Sequence, residues 1–405
     1  MGRSKSRRIL MLLENCSFPR DDRVRREARA LIAAGYKITL ISPASAGQSR
    51  REFVEGVMVY RYKMPMEGIG FLGYFWEYAY SMTVIFWMSL YVLIREGFDV
   101  VHAHQPPDLF GLIAGFYKLL GKKYVLDHHD LAPELYEARF RGKGKSVIRS
   151  ILILLEKISC RLADHVIATN ESYKRIEMQR DHVPEERITI VRNGPDLHEV
   201  FKTAPDATIQ RDGKTIIGYV GVIGTQDGVD YLLRAMQRLV FDLGRRDVLC
   251  IIVGSGNALP ELTSLARELR LSDYIQFTRW VDGEEQVRRY LNSMDICAAP
   301  EPSDPYNQCS TAAKVMEYMA VGKPVVAFDN TEHRFSAQEG ALYARPNDEM
   351  DFAGKLAFLM DHPSERERIG NLGFERIKSR LGWQHQSAAL VNVYSSLFPS
   401  ETVVS

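Results

Sequence analysis

The sequence predicts an α/β protein built from two consecutive doubly wound domains. Short apolar runs of strand length alternate with segments of helical periodicity along most of the 405 residues. The alternation occurs in two series, and a stretch rich in turn residues near 200–212 separates them. Continuous apolar strands joined by helices are typical of parallel sheets that are covered on both faces. We expect an N-terminal domain over 1–205, a C-terminal domain over 206–380, and a C-terminal helix and tail over 381–405 that packs back on the N-terminal domain.

The first series opens with a β-α-β unit. RILMLLE is a strand, and DDRVRREARALIAAGY places Val24, Ala28, Leu31 and Ile32 on one helical face before Gly35 stops the helix. KITLISP is the second strand of this unit. Further strands are predicted at GVMVYRYK, FDVVHAH, KYVLDHHD and ADHVIATN, with helical segments between most of them.

The second series repeats this pattern. Its predicted strands are TIIGYVG, VLCIIVGSG, YIQFTRWV, DICAAP and KPVVAFD, and its predicted helices include GVDYLLRAMQRLVFDLG and AAKVMEYMAVG. Ligands of doubly wound folds bind beyond the carboxyl ends of the parallel strands. We therefore expect a two-lobed enzyme whose substrates bind in a cleft between the domains.

Composition limits the classes of function. A formal net charge of +1 provides no overall field that would attract nucleic acid. The five cysteines include no C-x-x-C pair, which indicates a reduced, cytoplasmic protein without a disulfide framework or a zinc knuckle. RRILMLL lacks the apolar core and the cleavage site of a signal peptide, so we interpret it as the first strand.

The most apolar segment covers residues 69–94 and contains one charged residue, Glu77. Its length suffices to span a bilayer, which takes about 20 residues. We expect a helix that packs on the first sheet or lies in a membrane interface, where its many aromatic rings are favourable; a spanning helix is the alternative. A basic run downstream suits an anionic lipid surface or a phosphate-bearing substrate, or is a solvated loop: Arg139, Arg141, Lys143, Lys145 and Arg149.

Phosphate-binding motifs are scarce. Neither a G-x-G-x-x-G turn near the N-terminus nor a G-x-x-x-x-G-K-[ST] loop is present, so the dehydrogenase and P-loop classes lose their main support. VGSGN, after a predicted strand, is a weak indication of a ligand loop at Gly254. QCSTAAKVMEYMAVGKPVVAFD is the stronger candidate.

In this segment Ser310 or Thr311 is predicted to cap a helix whose free N–H groups bind an anion. Lys314 adds a positive charge in the first turn, and Glu317 lies on the same side of the helix. Amides and a cation would hold a diphosphate, and a carboxylate would hold a ribose. A simple surface ion pair between Lys314 and Glu317 is the alternative.

EPSDPYNQCSTAAKVMEYMAVGKPVVAFD resembles the donor-site signature of the family 4 glycosyltransferases, which have the GT-B fold of two doubly wound Rossmann-like domains facing across a cleft. The resemblance covers nearly the whole chain, because DVVHAHQPPD, DHHDLAPELY, VIATNES, ERITIVRNGPDL, GYVGVIGTQDGVDYLLRAM, CIIVGSGNALPEL and MDICAAP follow in the family's order. It implies a retaining hexosyltransferase. The nucleotide-sugar donor would bind mainly to the C-terminal domain and the acceptor mainly to the N-terminal one, without a further cofactor.

The resemblance also assigns individual residues. Glu317 corresponds to the second glutamate of the family's E-x7-E motif, which binds the ribose, and His104 corresponds to a histidine near the reacting sugar. His129 and Asp130, at another strand end, are candidates for acceptor binding. The candidates for nucleotide-sugar binding are Gly221, Gly224, Gly254, Arg279, Cys309, Ser310 and Thr311.

Three departures from the family pattern affect the donor site. The first glutamate of E-x7-E falls at Cys309. Val222 and Asp227 replace a usual basic pair, and Arg279 stands where a glycine is usual. We infer that Lys314, together with Arg279, neutralises the diphosphate as charge develops on the leaving group. Replacement of Lys314 by alanine is expected to abolish transfer while leaving the fold intact.

No enzyme nucleophile is evident at the matched positions, so the resemblance suggests a front-face displacement that needs a held leaving phosphate and an aligned acceptor hydroxyl. The catalytic candidates are His104, Lys314 and Glu317, and a merely structural histidine is the alternative for His104. His102 and His128 are predicted to face the other side of the sheet. No metal site is predicted, because no carboxylate trio typical of a hard cation accompanies the histidines.

The sequence is thus interpreted as that of a cytoplasmic glycosyltransferase, peripheral at the inner face of the membrane, which builds a cell-surface polysaccharide or lipid-linked glycan. Its expected partners are a nucleotide-sugar donor, a saccharide or lipid-linked acceptor and an anionic membrane surface, but no nucleic acid. One alternative is a nucleotide-sugar epimerase of the same fold, which adds water instead of an acceptor. The other is a non-catalytic partner protein that has kept the fold and lost the activity.

Overall fold

The computed structural model describes residues 7–64, 70–140, 145–206, 209, 212–279, 281 and 283–398. Two sheets, with helices between their strands, make up this part of the chain. The strands of the first sheet are β1 (Arg8–Leu12), β2 (Lys37–Pro43), β3 (Arg51–Val54), β4 (Val57–Tyr62), β5 (Val100–His104), β6 (Lys123–His128), β7 (His165–Ala168) and β8 (Ile188–Ile190). Those of the second sheet are β9 (Thr215–Val220), β10 (Val248–Val253), β11 (Ile275–Arg279), β12 (Ile296–Ala299), β13 (Val325–Phe328) and β14 (Ala341–Ala344).

The helices follow the alternating order that the sequence predicts. In the first part of the chain they are α1 (Asp22–Ala33), α2 (Gly70–Arg95), α3 (Phe110–Leu119), α4 (Ala132–Arg139), α5 (Ser146–Leu162) and α6 (Glu171–Gln179). In the second part they are α7 (Val229–Gln237), α8 (Leu259–Glu268), α9 (Glu284–Ser293), α10 (Pro305–Cys309), α11 (Ala313–Ala320), α12 (Thr331–Ala337), α13 (Glu349–Asp361), α14 (Pro363–Arg376) and α15 (Trp383–Leu397).

Strand order places the centre of each sheet. The first sheet runs β3-β4-β2-β1-β5-β6-β7-β8, and all its pairs are parallel except the hairpin of β3 with β4. The second sheet runs β11-β10-β9-β12-β13-β14 and is parallel throughout. In each sheet the order reverses beside the first strand of the series, and doubly wound folds bind their ligands at such points.

The chain divides into two compact units. The first unit comprises the described residues of Met1–Glu137, Lys143–Arg192 and Gln386–Ser405, and the second those of Ala138–Gly142 and Asn193–His385. The chain passes from the first unit to the second after Arg192, ahead of the boundary that we predicted at 205/206. The chain re-enters the first unit at Gln386, within α15, so most of the last helix belongs to that unit.

Helix α1 shows how the sequence brings polar groups under the first sheet. Asp21 caps it by accepting a hydrogen bond from Val24 N at 3.0 Å. Of the predicted apolar face, Val24, Ala28 and Leu31 are buried and Ile32 is partly buried. Arg23 and Glu27, one turn apart, are buried as well at 4% and 0% exposure. Buried charges need partners, so this face of α1 must carry a polar cluster.

Helix α2 is the apolar segment that the sequence singles out. Among the described residues, Trp76–Arg95 is the one stretch of helix that is long and apolar enough to cross a membrane by length and composition, and 22% of its most apolar window is buried. Ile85 and Val92 face the sheet, whereas Trp76 and Trp87 are 62% and 65% exposed. The helix therefore packs on the sheet along one face and leaves a large apolar face uncovered.

Candidate functional site

The second unit holds a buried charged cluster around Lys314, near the start of α11. The ammonium Nζ donates hydrogen bonds to the hydroxyl of Tyr219 at 2.9 Å and to Asp227 Oδ1 at 3.1 Å. It also forms an ion pair with Glu301 Oε1 at 2.6 Å. All three protons of the ammonium group thus have an oxygen atom to face, and the lysine side chain is only 12% exposed. We call these four residues the lysine cluster.

Both partners of the central ion pair are ionised near neutral pH. Burial opposes the charge of Lys314, yet the carboxylate of Glu301 and the other oxygen atoms around it raise the pKa of the ammonium group well above its usual value. Burial also opposes ionisation of Glu301, but the ammonium group lowers the pKa of this carboxyl below its usual value. Removal of Lys314 would leave the buried carboxylate of Glu301 without this cation, whereas removal of Glu301 would leave Lys314 paired with Asp227.

The start of α11 differs from the prediction. Ser310 and Thr311 do not cap the helix, because α11 begins at Ala313 and its N-cap residue, Ala312, makes no side-chain capping hydrogen bond. The reason is the short helix α10, which ends at Cys309 and leaves Ser310 and Thr311 in the link between the two helices. The expected anion site at this helix end therefore lacks its predicted cap.

The loops that follow β9 and β10 approach each other closely. Gly221 N donates to Val253 O at 3.0 Å, and Gly254 N donates to Arg279 O at 3.2 Å. A Cβ atom at Gly254 would lie 1.9 Å from Gly221 O, and one at Gly221 would lie 3.0 Å from Lys314 Cε. Both glycines have positive φ, +154° and +142°. Bare backbone at the ends of adjacent parallel strands is a surface that phosphate groups can approach.

Two further donor-site candidates adjoin these loops. Gly224 N donates to Asp227 Oδ2 at 2.9 Å. Asp227 therefore accepts hydrogen bonds both from the backbone of this loop and from the ammonium group of Lys314. Arg279 ends β11 with an exposed side chain and a φ of +64°. A non-glycine residue adopts this conformation at a cost of roughly 1–2 kcal/mol, in line with the glycine that the resemblance leads us to expect there.

We expect Gly254→Ala to destabilise the second unit by roughly 2–5 kcal/mol, the sum of overpacking and of the left-handed conformation. The added methyl group would collide with a backbone oxygen that cannot move away alone. Gly354→Ala is the matched control: that glycine lies in α13 with nothing within 4 Å of the new Cβ atom. The control should gain about 0.5–1 kcal/mol from helix propensity. Equal urea midpoints for both variants would contradict the packing argument.

The first unit holds a second polar cluster, at the ends of β5 and β6. Nδ1 of His104 lies 2.9 Å from Asp127 Oδ2. Arg23 donates to the same carboxylate twice, from Nε at 2.8 Å and from Nη2 at 2.6 Å, and its Nη2 lies 3.1 Å from Glu27 Oε1. All four side chains are at most 4% exposed. We call this group, with His102 and His129, the histidine cluster.

The carboxyl groups of this cluster differ in charge. Burial opposes ionisation of Asp127, but the charge of Arg23 and the hydrogen bonds from the histidines hold its pKa well below the usual range. Burial, and then the charge of Asp127, raise the pKa of Glu27 to about 7. Asp127 is therefore the permanent anion of the cluster, and Glu27 takes up a proton near neutral pH.

The prediction for His102 is wrong. Its ring lies beside that of His104, with centroids 4.2 Å apart, and its Nδ1 lies 2.6 Å from the hydroxyl of Tyr394 on α15. The reason is the strand period: residues two apart point to the same face. Together with Glu27 and Asp127, the two histidines offer ligand atoms within 4.8 Å of one another. The guanidinium group of Arg23, which contacts both Glu27 and Asp127, already supplies the positive charge that a metal ion would bring.

The acceptor-side candidates adjoin this cluster. Nδ1 of His129 lies 3.0 Å from Asp127 Oδ2, so one carboxylate oxygen serves both His104 and His129. Burial opposes protonation of His129, but the carboxylate beside it raises the pKa of the ring. Asp130 follows directly and is partly buried. The role of both residues in acceptor binding stays a prediction.

A third buried cluster lies on the opposite face of β6, where His128 points as predicted. Nδ1 of His128 lies 2.8 Å from Glu177 Oε1, and Nε2 lies 3.7 Å from Glu156 Oε2. Burial and the charge of Glu156 raise the pKa of Asp108 to about 8 and that of Asp181 to about 7. These five residues form the carboxylate cluster, and the resemblance assigns none of them a role in the reaction.

Sequence reasoning named the central residues of these clusters but missed their partners. Asp127 directly follows the apolar run YVL within a predicted strand, and a carboxylate at that point was a signal that it has a buried partner. Arg23 and Glu27 have the i,i+4 spacing of a helical pair. Glu301 lies within the stretch that carries the resemblance, but its position ahead of the helix gave no indication that it pairs with Lys314.

Comparison with known proteins bears on the class. Residues 23–199 match the domain family Glycosyltransferase Family 4, and residues 214–362 match the family Glycosyl transferases group 1. An uncharacterised glycosyltransferase of Methanocaldococcus jannaschii is 23% identical over 380 residues, 91% of each chain. Sucrose-phosphate synthase of Thermosynechococcus elongatus superimposes with a TM-score of 0.80 at 18% identity, over 97% of this chain and 99% of that one. Anabaena HepE in complex with UDP-glucose gives 0.73 at 15% identity, over 96% and 99%.

The two parallel-dominated sheets with their helices, together with these structural neighbours, show the GT-B fold, and the predicted fold class is confirmed. The two family matches show that the protein is a glycosyltransferase. Within that class, the chain belongs to the family 4 glycosyltransferases. The roles of the individual site residues stay predictions.

Proposed function

We propose that the protein catalyses the retaining transfer of a hexosyl group from a nucleotide sugar to a saccharide or lipid-linked acceptor in the synthesis of cell-surface glycans. The observation that supports this donor most directly is the pair of glycine loops at Gly221 and Gly254. Their backbones lie at the ends of adjacent parallel strands, where doubly wound domains bind nucleotides. HepE, a protein with the same fold, is known in complex with UDP-glucose.

In the proposed reaction the lysine cluster meets the diphosphate. As the glycosidic bond breaks, charge develops on the leaving phosphate, and Lys314 exchanges its contact with Asp227 for a phosphate oxygen. Arg279 adds a second positive charge, and Glu317 binds the ribose. His104 binds a hydroxyl group of the sugar. Since no enzyme nucleophile is assigned, the acceptor hydroxyl attacks from the face that the diphosphate leaves. Its proton passes to the departing phosphate oxygen as the glycosidic bond breaks, and the configuration is retained.

A donor screen followed by product analysis tests this function. Nucleotide sugars that differ in base and sugar are first screened by thermal shift, because a ligand that binds only the folded state raises Tm. The stabilising donor is then incubated with a panel of acceptors, and the anomeric configuration of the product is read by NMR. A product with the donor's configuration supports the proposal, and an inverted product contradicts it. Free epimer without acceptor would indicate an epimerase, and binding without turnover a non-catalytic partner protein.

We also propose that the protein works in the cytoplasm as a peripheral protein on the anionic inner face of the membrane. Three neighbouring helices, α2, α3 and α5, each expose apolar residues at i, i+4 and i+7, a spacing that aligns them on one helix face. Such extended apolar surface is typical of membrane or protein contact. These apolar stripes are 38–87% exposed: Trp87, Tyr91 and Ile94; Leu112, Phe116 and Leu119; Val147, Ile151 and Leu154.

Helix contacts make the stripes neighbours. The rings of Phe86 and Phe116 lie 5.3 Å apart, which joins α2 to α3. A Cβ atom at Gly111 would lie 2.8 Å from Ser159, which joins α3 to α5. The basic run contributes less to this proposal: Arg141 and Lys143 lie outside the described residues, and Arg149 pairs with Glu137 at 2.9 Å.

A variant with one glutamate in each stripe, Ile94→Glu, Leu119→Glu and Ile151→Glu, is expected to lose membrane binding because three charges would have to leave water. In flotation with vesicles that contain anionic lipid, the wild-type protein should rise and this variant should stay at the bottom. Phe53→Glu is the matched control, since Phe53 is 68% exposed on β3 of the same unit and outside the stripes. It should float like the wild type. Wild-type protein that stays wholly at the bottom would contradict the proposal.

A further inference from the structure

Asp127 has no role yet in the reaction proposed above. It lies at the carboxyl end of β6 with 0% exposure. Its Oδ2 faces Nδ1 of His104 at 2.9 Å and Nδ1 of His129 at 3.0 Å. Arg23 donates to both carboxylate oxygens, at 2.8 and 2.6 Å. Four donors on one buried carboxylate indicate a group that orients its neighbours rather than one that reacts.

The carboxylate determines which nitrogen of His104 carries the proton. A carboxylate paired with a guanidinium group is ionised and only accepts hydrogen bonds, so Nδ1 of His104 must donate. In the neutral ring the other nitrogen, Nε2, is then an acceptor. Nε2 of His104 is buried and has no hydrogen-bond partner among the residues that the structure describes. A buried acceptor of this kind is suited to a hydroxyl group of a ligand.

We propose that Asp127, itself oriented by Arg23, is a positioning residue for glycosyl transfer, which holds His104 with its proton on Nδ1 so that Nε2 accepts a hydrogen bond from a sugar hydroxyl. This inference rests on the proposed function and deepens it. Arg23 is part of the arrangement because its Nη1 donates to the backbone oxygen of Val191 at 3.1 Å and so fixes the guanidinium group against the sheet. The proton stays on Nδ1, and His104 binds and orients the sugar without transferring a proton.

The first test reads the tautomer directly. In wild-type protein labelled with ¹⁵N-histidine, the His104 signals are assigned by their loss in a His104→Asn variant. We expect a protonated Nδ1 and an unprotonated Nε2. A proton on Nε2 overturns the proposal. A metal ion bound to Nδ1 of His104 also overturns it, because that nitrogen would then be a ligand atom and not a donor.

The second test removes the charge of the carboxylate. Asp127→Asn keeps the size of the side chain but turns one acceptor into a donor, so His104 should lose its single tautomer. We expect kcat to fall about 100-fold, the effect of misplacing a group that positions the reaction, with the KM for the donor unchanged within about twofold. Glu177→Gln is the matched control, since Glu177 is a buried carboxylate 2.8 Å from Nδ1 of another histidine, His128. It should leave both kcat and the His104 signals unchanged.

The outcomes separate this inference from the proposed function. Wild-type kcat in Asp127→Asn, or an equal loss in Glu177→Gln, overturns the positioning role. Should Asp127→Asn fail to fold, the tautomer of His104 in the wild-type protein still tests the proposal. Failure of the proposed function would give a different result. His104 would carry its proton on Nδ1, but no nucleotide sugar would yield a product with any acceptor.

Discussion

Replacement of Lys314 by alanine is expected to abolish glycosyl transfer and to destabilise the second unit. The change removes the positive charge that would meet the leaving diphosphate, and loss of one such group costs about 10²–10³ in rate. It also leaves Glu301, whose side chain is 6% exposed, without its cation. Breaking a buried ion pair from one side costs about 3–5 kcal/mol. For a unit of this size, that loss lowers Tm on the order of 10 °C.

The sequence led us to expect an intact fold after this substitution, and the ion pair with Glu301 changes that expectation. A double variant separates the two effects. Lys314→Met with Glu301→Gln removes both charges, so stability should return to within a few degrees of the wild type while transfer stays absent. Lys378→Ala, at an exposed lysine of the same unit, is the control and should change neither property. Near-normal turnover in Lys314→Ala would refute the assignment of the lysine to the diphosphate.

The fold could be predicted from the sequence because the central strands of both sheets are continuous apolar runs. The strands that sequence analysis missed are β3, β8 and β14, each only three or four residues long and at a sheet edge. Runs of this length carry too little periodicity to be distinguished from loops. The hairpin of β3 with β4 also departs from the parallel pattern, since it turns at Glu55 and Gly56 with φ of 51° and 83°.

The sites were less predictable because they depend on strand order. Arg23 and Asp127 are 104 positions apart, and Lys314 and Asp227 are 87 apart. They meet because β1 and β6 both flank β5 in the first sheet and because β9 and β12 are neighbours in the second. Periodicity identifies strands but does not order them, so the pairs could not be derived. The misplacement of His102 is a different kind of error, since the period of two already puts it on the face of His104.

The second large effect is a loss of stability as pH rises through neutrality. Burial, together with the charge of Glu156, raises the pKa of Asp108 to about 8, whereas an unfolded chain ionises this side chain near pH 4. Between these values the folded state holds a proton that the unfolded state has released, so stability falls with rising pH. The slope is about 1.4 kcal/mol per pH unit for one such proton. Asp181 adds to this loss of stability up to about pH 7, and the raised pKa of His128 acts in the same direction.

Asp108→Asn should therefore flatten the decline of the urea midpoint between pH 5.5 and 8.5 and make the protein more stable than the wild type at the alkaline end. Asparagine has the shape of the protonated acid but no proton to lose. Asp164→Asn is the control: burial opposes ionisation of Asp164, but the backbone hydrogen bond from Tyr124 and the charge of Lys118 lower its pKa, so its contribution is lost only in acid. That variant should be weakened about equally across the range. A wild-type midpoint that stays constant or rises towards pH 8.5 would mean that the carboxylate cluster is ionised in the folded protein, with water or a cation compensating its charge.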